Sequence, residues 1–363
     1  MRNYIPTLKE CEDLVKNNEC FYSNYQEVNG ITVASFTYRY AEYEDFLKPG
    51  ALNIRGITFN RDTGELLALP FWKFFNYGEN PFTDIEKIKD WNIKGITQKL
   101  DGSLVYFFMA NGKIRAKTKF SCTSPQAELA MKMFTKERGL CDFIMDAVYQ
   151  GKTPMFELIG PDNQIILNYD KNKLVYIGSR DMKTGKYYNP YDSSISRFVI
   201  NMHVPIEVCF GNIETIYDYC KESDKMEEGF VAEFKNGELV KFKTRKYFDM
   251  HRVVSSVQDE RAIAELSLNE QIDDVIVMLP EDFKERVRAI SEKVRHTYRD
   301  MVVDAELFCS KWKGLSQKEY AIKGIEEFGK ENFRFHMCIS MRGGKFDEER
   351  NREHFIRNKL WQQ

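Results

Sequence analysis

The chain has 363 residues, 43% of them hydrophobic and 14% aromatic, and its 53 basic and 55 acidic residues leave a net charge of −2. That length allows two domains, each with its own core. The charge balance excludes a uniformly basic nucleic-acid-binding chain, so any attraction to phosphates must come from local clusters.

No apolar run approaches the roughly 18 residues a membrane span needs, and the opening "MRNYIPTLKECEDL" lacks the apolar centre of a signal peptide. The expectation is a soluble, cytoplasmic protein with no membrane partner. Cys11, Cys20, Cys122, Cys141, Cys209, Cys220, Cys309 and Cys338 include no pair closer than nine positions. That spacing argues against a structural zinc site and for reduced thiols.

In chain order, a helix is expected at about 6–18 and a strand in "ITVASFTYRY" (31–40). "GITFNRDTGELLALPF" (56–71) sets two apolar runs around Asp62-Thr63-Gly64, a hairpin pattern. "SLVYFFMANGKIRAKTKF" (103–120) places Asn111-Gly112 between two extended runs and predicts a type I′ turn. A helix at about 124–138 begins with Ser124 as N-cap and Pro125 in its first turn. "EEGFVAEFKNGELVKFKTRKY" (227–247) repeats the hairpin plan with Asn236-Gly237. After about residue 252, helical periodicity replaces strand alternation, with Pro280 as its interruption, and continues to Trp361. The expected organisation is an α+β domain over 1–252 and an all-helical domain over 253–363. In the latter, Lys284, Arg288, Arg295 and Arg299 lie at spacings of 4, 7 and 4 on one helix face. The stripe reads either as a solvated face or as an RNA contact.

The chemistry centres on "TQKLDGSLVYFF", which begins at Thr97. Lys-x-Asp-Gly alone is a weak signal, since roughly one chain in a dozen of this length contains it by chance at average usage. Its neighbours in the sequence strengthen it. A lysine that attacks phosphorus must first lose its proton, against an ordinary pKa of about 10.4, and a departing phosphate needs cations around it. Lys117 and Lys119 alternate after one hairpin turn, and Lys241 and Lys243 after the other. Residues two apart on a strand face one side, so each pair is expected to aim two ammonium groups together. Glu228 opens the strand before Lys241, and Glu157 sits in the apolar strand "PMFELIGP", where an unpaired carboxylate is costly.

The order Lys-x-Asp-Gly, strand glutamate, Glu-Gly-hydrophobic-Val, Lys-x-Lys resembles the covalent nucleotidyltransferase superfamily. The segments "YAEYEDFLKPGALNIRGITF", "FWKFFNYGENPFT", "KLDGSL", "FELIGPDNQIIL" and "EEGFVAEFKNGELVKFKTRKY" resemble the bacteriophage RNA ligase 1 family, the tRNA-repair ligases of T-even phages. The resemblance implies an α+β, ATP-grasp-like nucleotidyltransferase domain of antiparallel sheets, followed by an all-α domain for RNA substrate recognition. Lys99 would be the nucleophile that takes AMP from ATP. Arg55 and Glu157 would contact ribose, and Lys73 and Phe75 would belong to the nucleotide site, with Lys73 on the outer phosphates. Lys119, Lys241 and Lys243 would contact phosphates, the last two assisting at the α-phosphate. Glu228 would act near the metal or the lysine, and Tyr247 is the aromatic residue soon after the lysine pair. Asp273 and Asp274 would hold a second magnesium through waters, although two acids opening a helix read equally well as caps. Leu100 stands where the phage enzyme has an acid, and Phe120 replaces a glycine.

The implied activity is an ATP-dependent RNA ligase using Mg2+ (or Mn2+). It would work as a monomer with no protein partner, in the host cytoplasm if phage-encoded. Its substrate would be single-stranded RNA ends or a nicked tRNA anticodon loop. A capping-type RNA guanylyltransferase, a DNA ligase and an inactive RNA-binding ligase-like protein are the competing readings.

Overall fold

The computed structural model describes residues 4–192 and 202–362. The chain divides into two compact units, Met1–Phe248 and Asp249–Gln363.

The first unit opens with helix α1 (Leu8–Lys16), started by a reciprocal Thr7–Glu10 capping box. Strands β1 (Phe21–Val28), β2 (Ile31–Tyr38), β3 (Ile57–Asn60) and β4 (Leu66–Ala68) form an antiparallel sheet in that order. A short α2 (Ile85–Ile88) precedes β5 (Ile93–Lys99), β6 (Ser103–Ala110) and β7 (Lys113–Lys117). Then come α3 (Pro125–Lys136), α4 (Arg138–Tyr149), β8 (Lys152–Ile159), β9 (Lys173–Asp181) and β10 (Tyr187–Tyr188). Strand β11 (Glu207–Val208), α5 (Ile213–Glu222), β12 (Gly229–Phe234) and β13 (Leu239–Lys243) complete the unit's sheets. A five-stranded sheet runs β10-β9-β8-β6-β7 and a four-stranded one runs β11-β5-β12-β13, both antiparallel throughout.

The five-stranded sheet is buried on both faces, so β6 is apolar without alternation. Val105 and Phe107 pack beneath α3 and α4 with Phe134, Phe143 and Phe156. Tyr106 and Phe108 face the other way, against Leu67, Phe71 and Trp72. The four-stranded sheet is asymmetric. Ile96, Phe230, Ala232 and Phe242 lie under α5, against Ile213 and Ile216. Its opposite face carries the lysines described below.

The two Asn-Gly turns differ. Asn111 (φ 48°) and Gly112 (φ 73°) are both left-handed, as a type I′ hairpin requires. In the second hairpin only Gly237 is (φ 81°). Its N–H donates to the Phe234 carbonyl at 2.7 Å, and the Asn236 side chain accepts from the Glu238 N–H at 2.9 Å. The second turn is therefore of the longer kind that ends on a left-handed glycine and does not repeat the first. Helix α3 begins at Ser124 and Pro125 as expected, with Ser124 Oγ accepting from the Ala127 N–H. Helices α4 and α5 are additional to the two helices expected in this unit.

Lys117 does not join Lys119 as a paired ammonium. It is fully buried and donates to Ser35 Oγ at 2.6 Å and Thr58 Oγ1 at 3.0 Å. Strand β7 ends there, so the strict alternation that was to aim both lysines together stops at Lys117.

The helix α6 (Arg245–Ser256) begins in the first unit and ends in the second. The second unit continues with α7 (Glu260–Leu268), α8 (Ile272–Met278), α9 (Glu281–Lys311), α10 (Gln317–Phe328), α11 (Phe333–Arg342) and α12 (Glu348–Arg357). Pro280 caps the start of α9. Val294, Tyr298, Ala305 and Phe308 of α9 form the unit's core with Tyr320, Met337, Phe355 and Trp361. On the basic stripe, Lys284 pairs with Glu281 at 2.8 Å and Arg295 with Asp273 at 3.0 Å. Among the described residues no helix is long and apolar enough to cross a membrane.

Burial lowers the Lys117 ammonium to a pKa of about 8. A group whose folded pKa lies below its unfolded value gains stability as pH rises between the two. Wild type is therefore expected to gain stability relative to Lys117→Met from about pH 8 to about 10.5, in urea unfolding series of both proteins. Parallel curves through that window would show Lys117 to be charged in the fold.

Candidate active site

Lys99 ends β5 and Ser103 opens β6, so three residues carry the chain from one sheet to the other. Gly102 lies against β8, where a Cβ would come within 2.8 Å of Ile159 Cγ2 and collide with the Leu158 carbonyl. Asp101, 1% exposed, accepts from the Tyr247 hydroxyl at 2.6 Å and from the N–H groups of Ile166 (2.8 Å) and Leu167 (2.6 Å). Its own N–H donates to the Tyr169 hydroxyl at 3.1 Å, and Ser103 Oγ donates to Asn163 Oδ1 at 3.1 Å. The turn is thus fixed on both sides of Lys99. Burial, aided by Glu228 and Asp101, pushes the Tyr247 hydroxyl far above its ordinary range, so it remains a donor.

Strand register places the lysines. Gly229 of β12 lies opposite Lys99 on one side and Lys243 on the other; Val231 lies between Thr97 and Lys241 in the same way. Directly opposed residues of antiparallel strands share a face, so Lys99, Lys241 and Lys243 point together. Gly229 has φ +133°, and a Cβ on it would run into the Phe242 carbonyl. The middle of the row is therefore bare, and the Glu228 carboxylate reaches into it. Its oxygens lie 2.7 Å from Lys99 Nζ and 3.2 Å from Lys243 Nζ.

The facing wall comes from the five-stranded sheet. Glu157 of β8 sits opposite Leu104 of β6. Burial raises its carboxyl to a pKa of about 7, while Lys99 and Arg55 pull it down and Glu228 pushes it up. The third side is the segment Phe74–Tyr77, held on the edge of β13. The Lys241 N–H donates to the Phe75 carbonyl (3.0 Å) and the Tyr77 N–H to the Lys241 carbonyl (2.8 Å). That docking turns Phe74 into the cleft, with Lys241 Nζ 4.6 Å and the Arg55 guanidinium 5.8 Å from its ring centroid.

Phe75, expected at the nucleotide site, faces away and packs on Phe46 and Tyr43 in the core of the N-terminal sheet. Successive side chains of an extended segment point to opposite sides, so its neighbour Phe74 lines the cleft instead. Lys73 Nζ lies 4.5 Å from the Phe75 ring centroid and 2.9 Å from Glu79 Oε1. Lys119 stands just past β7, 5.1 Å from the Tyr38 ring centroid. Burial, then Arg55 and Lys73, lower the Lys119 ammonium. The same causes, with Lys99, push Lys241 well below the lysine range.

The cleft encloses about 350 Å³ between an apolar floor of Phe71, Phe74, Leu104 and Ile177 and a rim of charge. The cations Arg55, Lys99, Lys241 and Lys243 line it beside one carboxylate, Glu157, with Glu228 against Lys99 and Lys243. Arg55 Nη1 is buried without a hydrogen-bond partner. An apolar slot beside surplus cations and an orphan donor fits a polyanion with an aromatic base.

Asp273 and Asp274 belong to the second unit, in the first turn of α8. Asp273 is largely exposed and pairs with Arg295 at 3.0 Å. Among the described residues no group of three or more His, Cys, Asp or Glu could hold a metal ion. A helix N-terminus and an arginine account for Asp273 without one.

Tyr247→Phe removes a donor from a buried carboxylate and is expected to cost about 1–3 kcal/mol in urea unfolding. An unchanged unfolding midpoint would show that the backbone N–H groups alone satisfy Asp101.

Comparison with known proteins gives the family. The RNA ligase family model matches residues 53–255, more than half of the chain and all of the cleft. A provisionally named RNA ligase of Thermovibrio ammonificans is 28% identical over 276 residues, covering 74% of this chain and 70% of that protein. RNA ligase 1 of bacteriophage TS2126 is 23% identical over 342 residues, covering 90% and 82%. Among solved structures, a Naegleria gruberi RNA ligase mutant with ATP and Mn superposes with a TM-score of 0.38 at 15% identity, over 49% of this chain and 56% of that one. The segment that builds both walls of the lysine cleft is the segment the family shares, and the chain belongs to the phage-type RNA ligase family.

Proposed function

We propose that the chain is an ATP-dependent RNA ligase that joins RNA 5′-phosphate and 3′-hydroxyl ends through a lysyl-AMP on Lys99. The observation that carries this reading is the Glu228 carboxylate held between Lys99 and Lys243, at 2.7 and 3.2 Å. It gives the Lys99 proton an acceptor and keeps a second cation beside the nitrogen.

The neutral Lys99 Nζ attacks the α-phosphorus of ATP. A P–N bond forms, the bond from that phosphorus to the bridging oxygen breaks, and pyrophosphate leaves with the electron pair and takes up the second proton that the nitrogen sheds. Lys73 and Lys119 face the departing charge, while Lys241 and Lys243 stabilise the α-phosphate oxygens. Next, an oxygen of the RNA 5′-phosphate attacks the same phosphorus, the P–N bond breaks, and Lys99 regains a proton. Finally, the 3′-hydroxyl attacks the 5′-phosphate phosphorus, loses its proton, and AMP departs. Arg55 and Glu157 are assigned to the ribose, Glu157 able to donate or accept near neutrality. A bound Mg2+ (or Mn2+) would supply further charge neutralisation on the phosphates, with Glu228 and phosphate oxygens as donors. The helical unit is assigned to RNA recognition, with a broken tRNA loop or other single-stranded RNA as substrate.

Radiolabelled ATP with magnesium is expected to give a labelled protein adduct that releases AMP on addition of 5′-phosphorylated RNA. Lys99→Ala should abolish the adduct, and Glu228→Gln should slow its formation by about a hundredfold, the low end for a lost proton acceptor. An adduct that survives in Lys99→Ala, or that forms only from GTP, would overturn the reading.

A further inference from the structure

A second cavity, of about 460 Å³, adjoins the cleft at the edge of β13. Asn76, Lys241 and Lys243 line both, so the two spaces share a wall. Its own walls are aromatic. Tyr77 stacks on Phe242 with centroids 5.1 Å apart and lies 4.9 Å from Tyr217 of α5. Phe248, at the start of α6, adds a ring that is 53% exposed, and Tyr217 is 39% exposed. Lys221 and Arg245 bring positive charge to the same cavity, and among the described residues its lining includes no carboxylate, with Glu214 and Asp218 acting on Tyr77 from nearby. Asn76 Nδ2 is committed to Glu79 at 2.7 Å, which leaves its buried Oδ1 without a donor.

Each feature answers one part of a nucleotide. Exposed rings stack on a base whatever its identity, and lysine and arginine neutralise phosphates. A ribose hydroxyl can donate to the orphan carbonyl oxygen of Asn76. The volume falls within the range of small-molecule sites. The catalytic face gives the cavity a direction, because Lys243 stands between it and Lys99.

We propose that this cavity is a subsite for single-stranded RNA and receives a nucleotide next to the end being activated at Lys99. Its base stacks against Tyr217 and Phe248, and its phosphate lies between Lys221 and Arg245. The assignment rests on the ligase reading for its direction, but the binding surface stands on its own residues.

The test separates the two. Tyr217→Ala and Lys221→Glu alter exposed side chains outside the lysine cleft. Both variants are expected to form the labelled adduct with ATP at the wild-type rate, which also shows them folded. Their KM for a 5′-phosphorylated single-stranded RNA should rise on the order of tenfold, with Tyr217→Phe close to wild type. In Lys221→Glu the logarithmic salt dependence of RNA binding, read by fluorescence anisotropy, should flatten by roughly 0.7, the value for one lost phosphate contact on a single strand. Equal RNA affinity in wild type, Tyr217→Ala and Lys221→Glu overturns the subsite whatever ATP does. Failure of the wild type to form an adduct overturns the catalytic reading, while the anisotropy comparison still decides the subsite.

Discussion

One carboxylate shared between two ammonium groups organises the first unit. Glu228 can reach both Lys99 and Lys243 only because Gly229, between them in the sheet, has no side chain and a backbone conformation that side chains avoid. At the effective dielectric of a protein surface, one such contact at 4 Å is worth about 4 kcal/mol before desolvation is subtracted. That attraction requires the three strands to hold register to the residue. It also requires the turn after Lys99 to be immobile, which the hydrogen bonds on Asp101 and the fit of Gly102 against β8 provide.

The surrounding charge works against folding. Lys241 and Lys119 are pushed toward neutrality by burial and by each other's neighbours, and Arg55 keeps a buried nitrogen with no acceptor. Such a site is stabilised from elsewhere. The aromatic core under α3 and α4 contributes, as does Arg180, which is fully buried and bonds Asn53 (2.6 Å), the Pro70 carbonyl (2.9 Å) and the Gly185 carbonyl (3.0 Å). The lysine cleft is an unfavourable concentration of cations within a scaffold stable enough to hold it.

How much of this the sequence shows depends on the range of the interaction. Asn111-Gly112 is local and reads correctly, since both residues accept the left-handed region. Asn236-Gly237 is the same dipeptide in a different turn, because hydrogen bonds to Phe234 and Glu238 decide it. The α4 stripe of Leu140, Phe143, Ile144, Ala147 and Val148 has clean helical spacing and was legible, though its apolar, β-branched residues also suit a strand. The Lys241/Lys243 alternation and the cost of a carboxylate at Glu157 lead to the cleft. The Phe74–Phe75 choice does not follow from composition, since a shift of one residue exchanges core for cleft and only docking on β13 fixes it. Lys117 misleads for a similar reason, because its hydroxyl partners come from β2 and β3. The Asp101–Tyr247 bond joins residues 146 apart, and no local pattern announces it.

On the proposed chemistry, the ion pair at Lys99 would also serve as a timer. While Lys99 is an ammonium, Glu228 is neutralised from both sides and its charge is hidden. In the proposed lysyl-AMP the nitrogen would be uncharged, and one of the two attractions would disappear. The carboxylate would then hold Lys243 alone. On that proposal, loading the enzyme would expose an anion that the empty enzyme conceals. The charged and uncharged forms of the protein differ in electrostatic potential at the point where the next reactant must arrive.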